Sequence, residues 1–508
     1  MMLQSVPSRV KTGKMMLNER RTVRLVLGLF IGMAVVSISP MEAAERASCQ
    51  VRSQPRSSPA RKSNAGIKLR LVRNRGCCPQ TRPTRRSHRT ARRGVTWDYC
   101  PQVQGENAVV ATGASKPPKQ ENGIGAGNRV EITADVQAIA RSNNQFAVEL
   151  FRHLHNQNGN TFFSPASIST ALAMIYCGAE GATRQQIAAV LHFELPGPQL
   201  HAGFGALNTI LNTESKSYRL SVANRLWRQK GFHFEAPFLR SILKHYGAEP
   251  GEVDFAATEQ ARQAINQWVA EKTNGKIGDL IAPGALPDKT RLVLTNAIYF
   301  KGTWKYRFSK TDTHDAPFHV SKDRLSKVPT MEQTGGLRYA AVNDVQMLEL
   351  PYAGGHLSMM VLLPKRVDGL PELEQKLSAD DVQKWISALG YQDEVEVYLP
   401  KFTFASQTSL KDVLSSMGMP LAFNDQADFS GMSTEKEQKL FDAIHQAFVD
   451  VNEEGTEAAA ATGGHGGDLP GPVPVRVVFR ADHPFLFLIQ DNRTGTILFL
   501  GRVVDPNR

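Results

Sequence analysis

The sequence predicts one large α+β domain that begins near residue 135. Between residues 135 and 280, apolar residues recur at helical spacing, as in DVQAIARSNNQFAVELFRHL, where they share one face of a helix. Later segments such as RVVFRADHPFLFLI and TGTILFLGRVV are rich in β-branched and aromatic residues and are predicted strands. No internal repeat of roughly 20 to 50 residues is present. A single mixed domain over residues 135–508 therefore explains the pattern most simply.

The first 44 residues have the order of an export signal. Three arginines precede an apolar run at 25–38, and small residues follow as far as Ala44. This run is shorter than the roughly 20 residues that a membrane span needs. We therefore expect a signal peptide over residues 1–44, with Met15 or Met16 as an alternative start, and a single membrane anchor as the alternative. The protein would then be secreted to the extracellular space, or to the periplasm if it is bacterial.

Residues 45–134 form a basic region that is predicted to be mostly disordered, because apolar residues are scarce and Arg, Ser, Pro and Gly are frequent. Residues 51–100 contain 14 Lys or Arg and one acidic residue, while the net charge of the whole chain is +12. The remainder of the chain is therefore close to neutral. A polybasic stretch at 51–93 is typical of a solvated linker, but it is also suited to contact with a polyanion. A polyanion-binding protein, in which the folded domain is secondary, is one alternative function.

The cysteines give no sign of a metal site. Cys49, Cys77, Cys78 and Cys100 lie in the basic region and could form two disulfides in an exported protein. The adjacent pair does not match the usual spacing of zinc ligands. The sequence also has no HExxH and no GxSxG motif, so a hydrolase is disfavoured and no metal or cofactor is expected. Cys177 lies on the apolar face of a predicted helix, which is typical of a buried small hydrophobe.

A run of small residues, VNEEGTEAAAAT at 451–462, is the most informative segment of the chain. Alone, the alanines favour a helix, but four glycines follow at 463–467 and three prolines at 470–474. In a strand, the even-numbered residues from Thr456 to Thr462 share one face, and Glu457 lies on the other. Gly455 can supply a hinge. The segment can therefore change from an exposed loop to a buried strand, and its residues are Glu453, Glu454, Gly455, Thr456, Glu457, Ala458, Ala459, Ala460, Ala461 and Thr462.

Together with this hinge, an ordered set of segments over residues 135–508 resembles the serpin family of protease inhibitors. NTFFSPASISTALAMIYCGAEGATRQQI at 160–187 is similar to the family's helix B region. LTNAIYFKGTWKYRF at 294–308 is similar to the strand and turn that lead to the top of its main sheet. The resemblance implies the serpin fold, in which helices pack around a large central mixed sheet with smaller sheets and an exposed reactive loop. It also implies a monomer that is a protease inhibitor and not an enzyme.

The resemblance assigns mechanical roles to two groups of residues. Trp304 matches the breach, where the loop first enters the main sheet. A polar group beneath the centre of the sheet matches the shutter, and its members are Asn160, Ser164, Ser167, Asn296 and His445. Buried amide, hydroxyl and imidazole groups must be hydrogen-bonded, so this group is expected to form a network.

The implied activity is serine-type endopeptidase inhibition by suicide-substrate trapping, in which a protease forms an acyl-enzyme at the loop and the hinge then inserts into the sheet. The family's usual interval from Gly455 places the reactive bond at Leu469–Pro470, with Asp468–Leu469 as the alternative. A leucine there suits chymotrypsin-like, elastase-like or subtilisin-like proteases. Pro470 and the loop glycines disfavour cleavage and insertion, so a non-inhibitory or substrate-like serpin is the second interpretation.

Overall fold

The structure is a computed structural model that describes residues 131–154, 159–212, 217–435, 438–456 and 476–508. The signal peptide, most of the basic region, four of the cysteines, the later part of the hinge and the reactive bond lie outside the described residues. Within them, helices surround two β-sheets, which confirms the predicted α+β class. None of the described helices is long and apolar enough to cross a bilayer.

The described residues contain nine α-helices and one short 3-10 helix at Pro420–Phe423. The helices are α1 (Ala134–Leu154), α2 (Pro165–Gly178), α3 (Gly181–Val190), α4 (Gly197–Leu211), α5 (Ala236–Tyr246), α6 (Thr258–Lys272), α7 (Leu370–Lys376), α8 (Ala379–Ala388) and α9 (Lys411–Met417). The first six lie within the part of the sequence that was predicted to be mainly helical.

Fifteen strands are present in the same residues. They are β1 (Thr161–Phe163), β2 (Tyr218–Gln229), β3 (Gly251–Val253), β4 (Leu292–Thr303), β5 (His314–Ser321), β6 (Arg324–Val342), β7 (Val345–Pro351), β8 (Leu357–Pro364), β9 (Gly390–Pro400), β10 (Phe402–Ser409), β11 (Leu440–Val451), β12 (Gly455–Thr456), β13 (Val477–Arg480), β14 (Phe485–Asp491) and β15 (Ile497–Val503).

The sheet that carries the candidate site has the order β10-β11-β4-β2-β3, with the short β12 paired to β4; we call it the main sheet. It is mixed, because β4 runs parallel to β11 and antiparallel to β2. The second sheet has nine strands in the order β1-β15-β14-β8-β7-β6-β9-β13, with β5 paired to β6. The sequence predicted several smaller sheets beside the main one. In the described residues they form a single sheet of nine strands, whereas the main sheet has six.

Both faces of the main sheet are covered, which explains why β4 is an almost continuous apolar run. Its even-numbered residues, such as Leu294 and Ile298, belong to the large core shared with α1, α2 and the nine-stranded sheet. Its odd-numbered residues, such as Val293 and Ala297, belong to a smaller core beneath α6. Because side chains alternate along a strand, Asn296 must project into the large core.

Local sequence sets the helix ends near the site. Ser164 caps α2 by accepting a 3.2 Å hydrogen bond from the backbone N–H of Ser167, and Pro165 occupies the first turn, where no N–H partner is needed. At the other end of the helical region, Asn274 and Gly275 adopt φ values of 54° and 76° just after α6, which is incompatible with continuing the helix.

Candidate functional site

The first residues of the predicted hinge already lie in the main sheet. After β11 the chain turns through residues 452–454, where Asn452 and Gly455 exchange backbone hydrogen bonds of 2.9 and 3.1 Å. The short strand β12 then runs antiparallel to β4, with Gly455 opposite Thr303 and Thr456 opposite Gly302. Nearer the N-terminus of β4, the neighbour on this side is β11 instead. This pairing covers β4 residues 292–299 and ends with Tyr299 opposite Phe448. We call the region where β12 enters between β4 and β11 the entry site.

Two glycines allow this close approach of backbones. Gly455 has φ of 137°, and a Cβ built on it would lie 2.1 Å from the carbonyl oxygen of Gly302. A Cβ on Gly302 would in turn lie 2.6 Å from the ring of Phe300 and 2.8 Å from that of Tyr352. A side chain at either position would therefore have to push β12 or the aromatic core aside.

Gly455→Ala is expected to detach β12 from β4, because the added methyl group overlaps the Gly302 carbonyl. The backbone strain costs about 1–3 kcal/mol, which the single short strand cannot offset. Amide hydrogen exchange measures the effect: protection at Thr456 should fall while protection at Asn296, lower on β4, is retained. Unchanged protection at Thr456 would show that β12 does not need glycine.

An aromatic pair holds the hinge on its core side. Thr456 is fully buried, and its hydroxyl lies 3.0 Å from the hydroxyl of Tyr352. Burial raises the pKa of Tyr352, so this phenol stays neutral and can donate. Trp304 stacks on Tyr352 with ring centroids 4.5 Å apart, and its indole N–H donates to the carbonyl of Asn452 at 3.0 Å. Trp304 therefore lies against the turn that leads into β12.

The two glutamates of the hinge have different surroundings. Glu453 is 5 % exposed and accepts hydrogen bonds of 2.9 Å from both the Lys401 ammonium and the Thr313 hydroxyl. Burial alone would raise the pKa of Glu453, but these donors outweigh it and lower the pKa. Glu454 instead pairs at 2.9 Å with Lys310, whose side chain is 71 % exposed. The first glutamate thus anchors the turn, and the second, which is 19 % exposed, pairs with a lysine at the surface.

A buried polar cluster links α2 to β4 and β11 beneath the centre of the main sheet. His445 lies directly opposite Asn296 in the parallel pairing, and its Nδ1 contacts the Asn296 side-chain oxygen. The backbone N–H of Ser164 donates to His445 Nε2 at 3.1 Å. Because Nε2 accepts, the ring proton of the neutral imidazole must be on Nδ1, where it is donated to Asn296.

The rest of the cluster continues this chain of hydrogen bonds. Asn296 Nδ2 donates to Ser167 Oγ at 2.8 Å and also to the side-chain oxygen of Asn224. Asn224 Nδ2 donates to the Ser167 carbonyl at 3.2 Å. Ser164 Oγ completes the network by donating to the Leu498 carbonyl at 2.6 Å. Opening the sheet between β4 and β11 would break the bond between Asn296 and His445 and require new partners for both.

The structure places one predicted shutter residue elsewhere and adds another. Asn160 does not join the cluster: its side chain donates to the carbonyls of Asp505 and Arg508 and accepts from the backbone N–H groups of Val504 and Asp505. It therefore fastens the 504–508 segment. Asn224 was missed, although a single amide in the apolar strand pattern VANRLW was a usable signal.

His445 is expected to make the folded protein less stable as the pH is lowered from about 6.5 toward 3. Burial lowers the pKa of His445 to about 3, whereas an unfolded histidine titrates near 6.5. Between these values the unfolded state binds more protons, so the free energy of unfolding decreases with falling pH. Denaturant unfolding of the wild type and of His445→Gln from pH 7 to 4 measures this, and the variant should show the flatter profile. The prediction would be contradicted if the free energy of unfolding of His445→Gln depended on pH as steeply as that of the wild type. It would also be contradicted if His153→Gln, a control at an exposed site, flattened the profile equally.

Other predicted sites lie partly outside the described residues. The hinge beyond Thr456 and the bond at Asp468–Pro470 belong to the undescribed part of the chain. Cys177 is half-buried rather than fully buried, and its Sγ donates to the Ser241 hydroxyl at 3.2 Å. Burial raises the pKa of this thiol. In the described part of the chain, no cluster of three or more His, Cys, Asp or Glu is arranged to hold a metal ion.

Comparison with protein families places this geometry in a known group. The family model described as serpin (serine protease inhibitor) matches residues 141–506. The leukocyte elastase inhibitor of Sus scrofa is 42 % identical over 381 residues, which are 73 % of this chain and 100 % of that protein. The leukocyte elastase inhibitor of Xenopus laevis is 43 % identical over 373 residues, covering 71 % of this chain and 97 % of that protein.

Solved structures show the same fold. Uncleaved ovalbumin aligns with a TM-score of 0.66 and 34 % identity, covering 73 % of this chain and 100 % of that chain. Maspin aligns with a TM-score of 0.68 and 31 % identity, covering 74 % of this chain and 100 % of that chain. The family model begins at residue 141, beyond the basic region.

Proposed function

Since this chain belongs to the serpin family, we propose that it inhibits an elastase-type, chymotrypsin-like or subtilisin-like serine protease by suicide trapping. The matching family model is described as serpin (serine protease inhibitor), and the two leukocyte elastase inhibitors reported above are named for elastase inhibition. The observation that carries the proposal is the entry of β12 beside β4. Gly455 and Thr456 already pair with β4, so the hinge residues that follow them can extend this pairing along the strand.

The pairing register indicates where an inserted loop would lie. Gly455 is opposite Thr303 and Thr456 is opposite Gly302. If the same antiparallel register continues, Glu457 lies opposite Lys301, which pairs opposite charges across the strands. Thr462 then lies opposite Asn296, the residue that the native structure pairs with His445. Insertion would thus replace one polar partner of Asn296 by another.

The same register supports the proposed reactive bond. Beyond residue 466, which would lie opposite Leu292 at the far end of β4, the inserted chain has no further strand partner on β4. Leu469 would therefore lie just past the end of the main sheet. From Thr456 to Leu469 an extended chain spans about 45 Å at roughly 3.4 Å per residue. A protease attached to Leu469 as an acyl ester would be carried that far from the entry site.

Trapping has a direct test. The full chain is mixed in turn with pancreatic elastase, chymotrypsin, subtilisin and trypsin, and the products are separated on denaturing gels. An adduct of one chain with one protease that survives denaturation is the expected result, with leucine-directed enzymes reacting and trypsin not. Mass measurement of the released C-terminal fragment should begin at Pro470, or at Leu469 if the alternative bond is cut. Rapid cleavage without any adduct would identify a substrate-like serpin.

Secretion and polyanion contact stay predictions from residues outside the described part of the chain. Secretion is tested by the N-terminal sequence of the protein recovered from its source, which should begin after Ala44. Contact through residues 51–93 should bind heparin with a steep dependence on salt. Deletion of residues 45–130 should remove that binding and leave protease trapping unchanged.

A further inference from the structure

The turn between β14 and β15 contains Asn492-Arg493-Thr494, which is the only Asn-x-Ser or Asn-x-Thr sequence in the chain. This tripeptide is the acceptor sequence for N-linked glycans, which lie on the surface of proteins that pass through a eukaryotic secretory pathway. We propose that Asn492 carries an N-linked glycan when the chain is exported. The proposal rests on the export predicted from the sequence and is independent of protease inhibition.

The surroundings of Asn492 leave room for a sugar. Asn492 is exposed, although Asp491 before it is fully buried at the end of β14. The adjacent turn between β7 and β8 contains two exposed glycines, Gly354 and Gly355, with φ of 86° and 72°. A Cβ built on Gly355 would meet no atom within 4 Å. Because the Asn492 amide lies against this turn, the first sugar would extend over glycines and into solvent.

The other two residues of the acceptor sequence are bound to Asp491. The Arg493 guanidinium pairs with the Asp491 carboxylate at 2.5 Å and donates to the Ile210 carbonyl, near the end of α4, at 3.0 Å. The Thr494 hydroxyl donates to the same carboxylate at 3.1 Å. Both side chains are therefore held on the Asp491 side of the turn, and the Asn492 amide is left to its contacts with the β7–β8 turn.

Glycan transfer replaces one hydrogen of the Asn492 amide. The donor is an oligosaccharide linked through a diphosphate to a lipid. The bond between its anomeric carbon C1 and the diphosphate oxygen breaks, a bond from C1 to Nδ2 forms, Nδ2 loses one proton, and the lipid diphosphate leaves. In the structure, Nδ2 donates to the exposed Gly355 carbonyl at 3.1 Å and to the buried Ser358 hydroxyl at 2.9 Å. The N–H that remains can keep the buried bond, and the sugar replaces the N–H on the exposed side.

Transfer must precede the folding of the hairpin formed by β14 and β15. In the folded protein Nδ2 already donates two hydrogen bonds, and the Thr494 hydroxyl is bound to Asp491. The acceptor residues are therefore not free to enter a transferase once the strands have paired. While the segment is unfolded, all three residues are accessible. After folding, the glycan would be held at the turn, where no strand or helix has to move to accommodate it.

The test expresses the full chain in insect cells, once with its own N-terminus and once with residues 1–44 replaced by the secretion signal of the host. Protein from the medium and from the secretory compartments is run on denaturing gels before and after treatment with peptide N-glycosidase F. A single slower band that the glycosidase converts to a faster one is expected, and mass spectrometry should find that the glycosidase has left aspartate in place of Asn492. Unmodified Asn492 in the chain with the host signal would overturn the proposal.

Matched variants identify the acceptor, and the two signals separate the site from export. Asn492→Gln and Thr494→Val should remove the slower band, whereas Thr494→Ser, which keeps the hydroxyl, should retain it. Asn507→Gln is the control, because it changes an exposed asparagine outside any acceptor sequence. A slower band that persists in Asn492→Gln would overturn the proposal, and the mass measurement on the wild type decides even if a variant fails to fold. If only the chain with the host signal is glycosylated, the site stands and the predicted export is wrong.

Discussion

Under the proposed trapping mechanism, replacing Thr456 by arginine is expected to convert an inhibitor into a substrate. Thr456 is fully buried against Tyr352 and pairs with Gly302, so an inserted strand has no room for a guanidinium on this face. The guanidinium is expected to hold residue 456 out of the sheet before cleavage, and burying this unpaired charge during insertion then costs several kcal/mol. Each 1.4 kcal/mol added to the insertion barrier slows insertion by about tenfold. The acyl-enzyme should then hydrolyse first. Denaturing gels should show complete cleavage of the loop and no adduct.

The control for this prediction is Glu457→Arg, one residue further along. The period-two pattern puts residue 457 on the opposite face of an inserted strand, away from the large core. It should form the adduct at a rate within a few-fold of the wild type. If neither variant formed the adduct, a positive charge anywhere in the hinge would be enough to prevent insertion, and burial of residue 456 would not be the cause. Circular dichroism and melting temperature establish that Thr456→Arg is folded before the protease is added.

Replacing Glu453 by lysine is expected to release the hinge turn and destabilise the native protein. The new ammonium group would face Lys401 in a site that is 5 % exposed, and the Thr313 hydroxyl would lose its acceptor. Breaking a fully buried pair costs roughly 3–5 kcal/mol, and Lys401 is partly exposed, so we expect about 2–4 kcal/mol. Equilibrium unfolding in denaturant measures the loss.

Glu454→Lys is the matched control, because it makes the same charge reversal one residue away. Glu454 is 19 % exposed and its partner Lys310 is 71 % exposed, and an ion pair with a solvent-exposed cation contributes little to stability. Adding Lys401→Glu to Glu453→Lys should restore part of the lost stability by reversing the pair. Similar losses for the two glutamate variants, or no recovery in the double variant, would argue against the buried pair as the anchor.

The sequence predicted those parts of the site that depend on local pattern. The small residues after Gly455 predicted a hinge that can form a strand. In the described residues, Gly455 and Thr456 form the short strand β12, and the hinge role stays a prediction. The position of Trp304 followed from a segment resemblance, and so did the grouping of Ser164, Ser167, Asn296 and His445.

The parts that the sequence did not predict depend on contacts between distant residues. Glu453 and Lys401 are 52 positions apart, and nothing in either segment indicates that β10 and the hinge turn meet. Asn160 was grouped with the polar cluster because it lies four residues before Ser164. The intervening strand β1 crosses to the far edge of the nine-stranded sheet, however, and carries Asn160 to the 504–508 segment.

The order of strands in the nine-stranded sheet has a consequence for synthesis on the ribosome. Strands β14 and β15 are among the last to be made, yet they lie between β1 and β8 and pair with both. Until residues 485–503 have emerged from the ribosome, β1 has no partner strand and β8 lacks one of its two neighbours. More than 300 residues are synthesised between β1 and β14, and during that time these apolar strand edges are exposed. This protein must therefore complete its core after most of the chain has been translated, and its dependence on chaperones should be greatest in that interval.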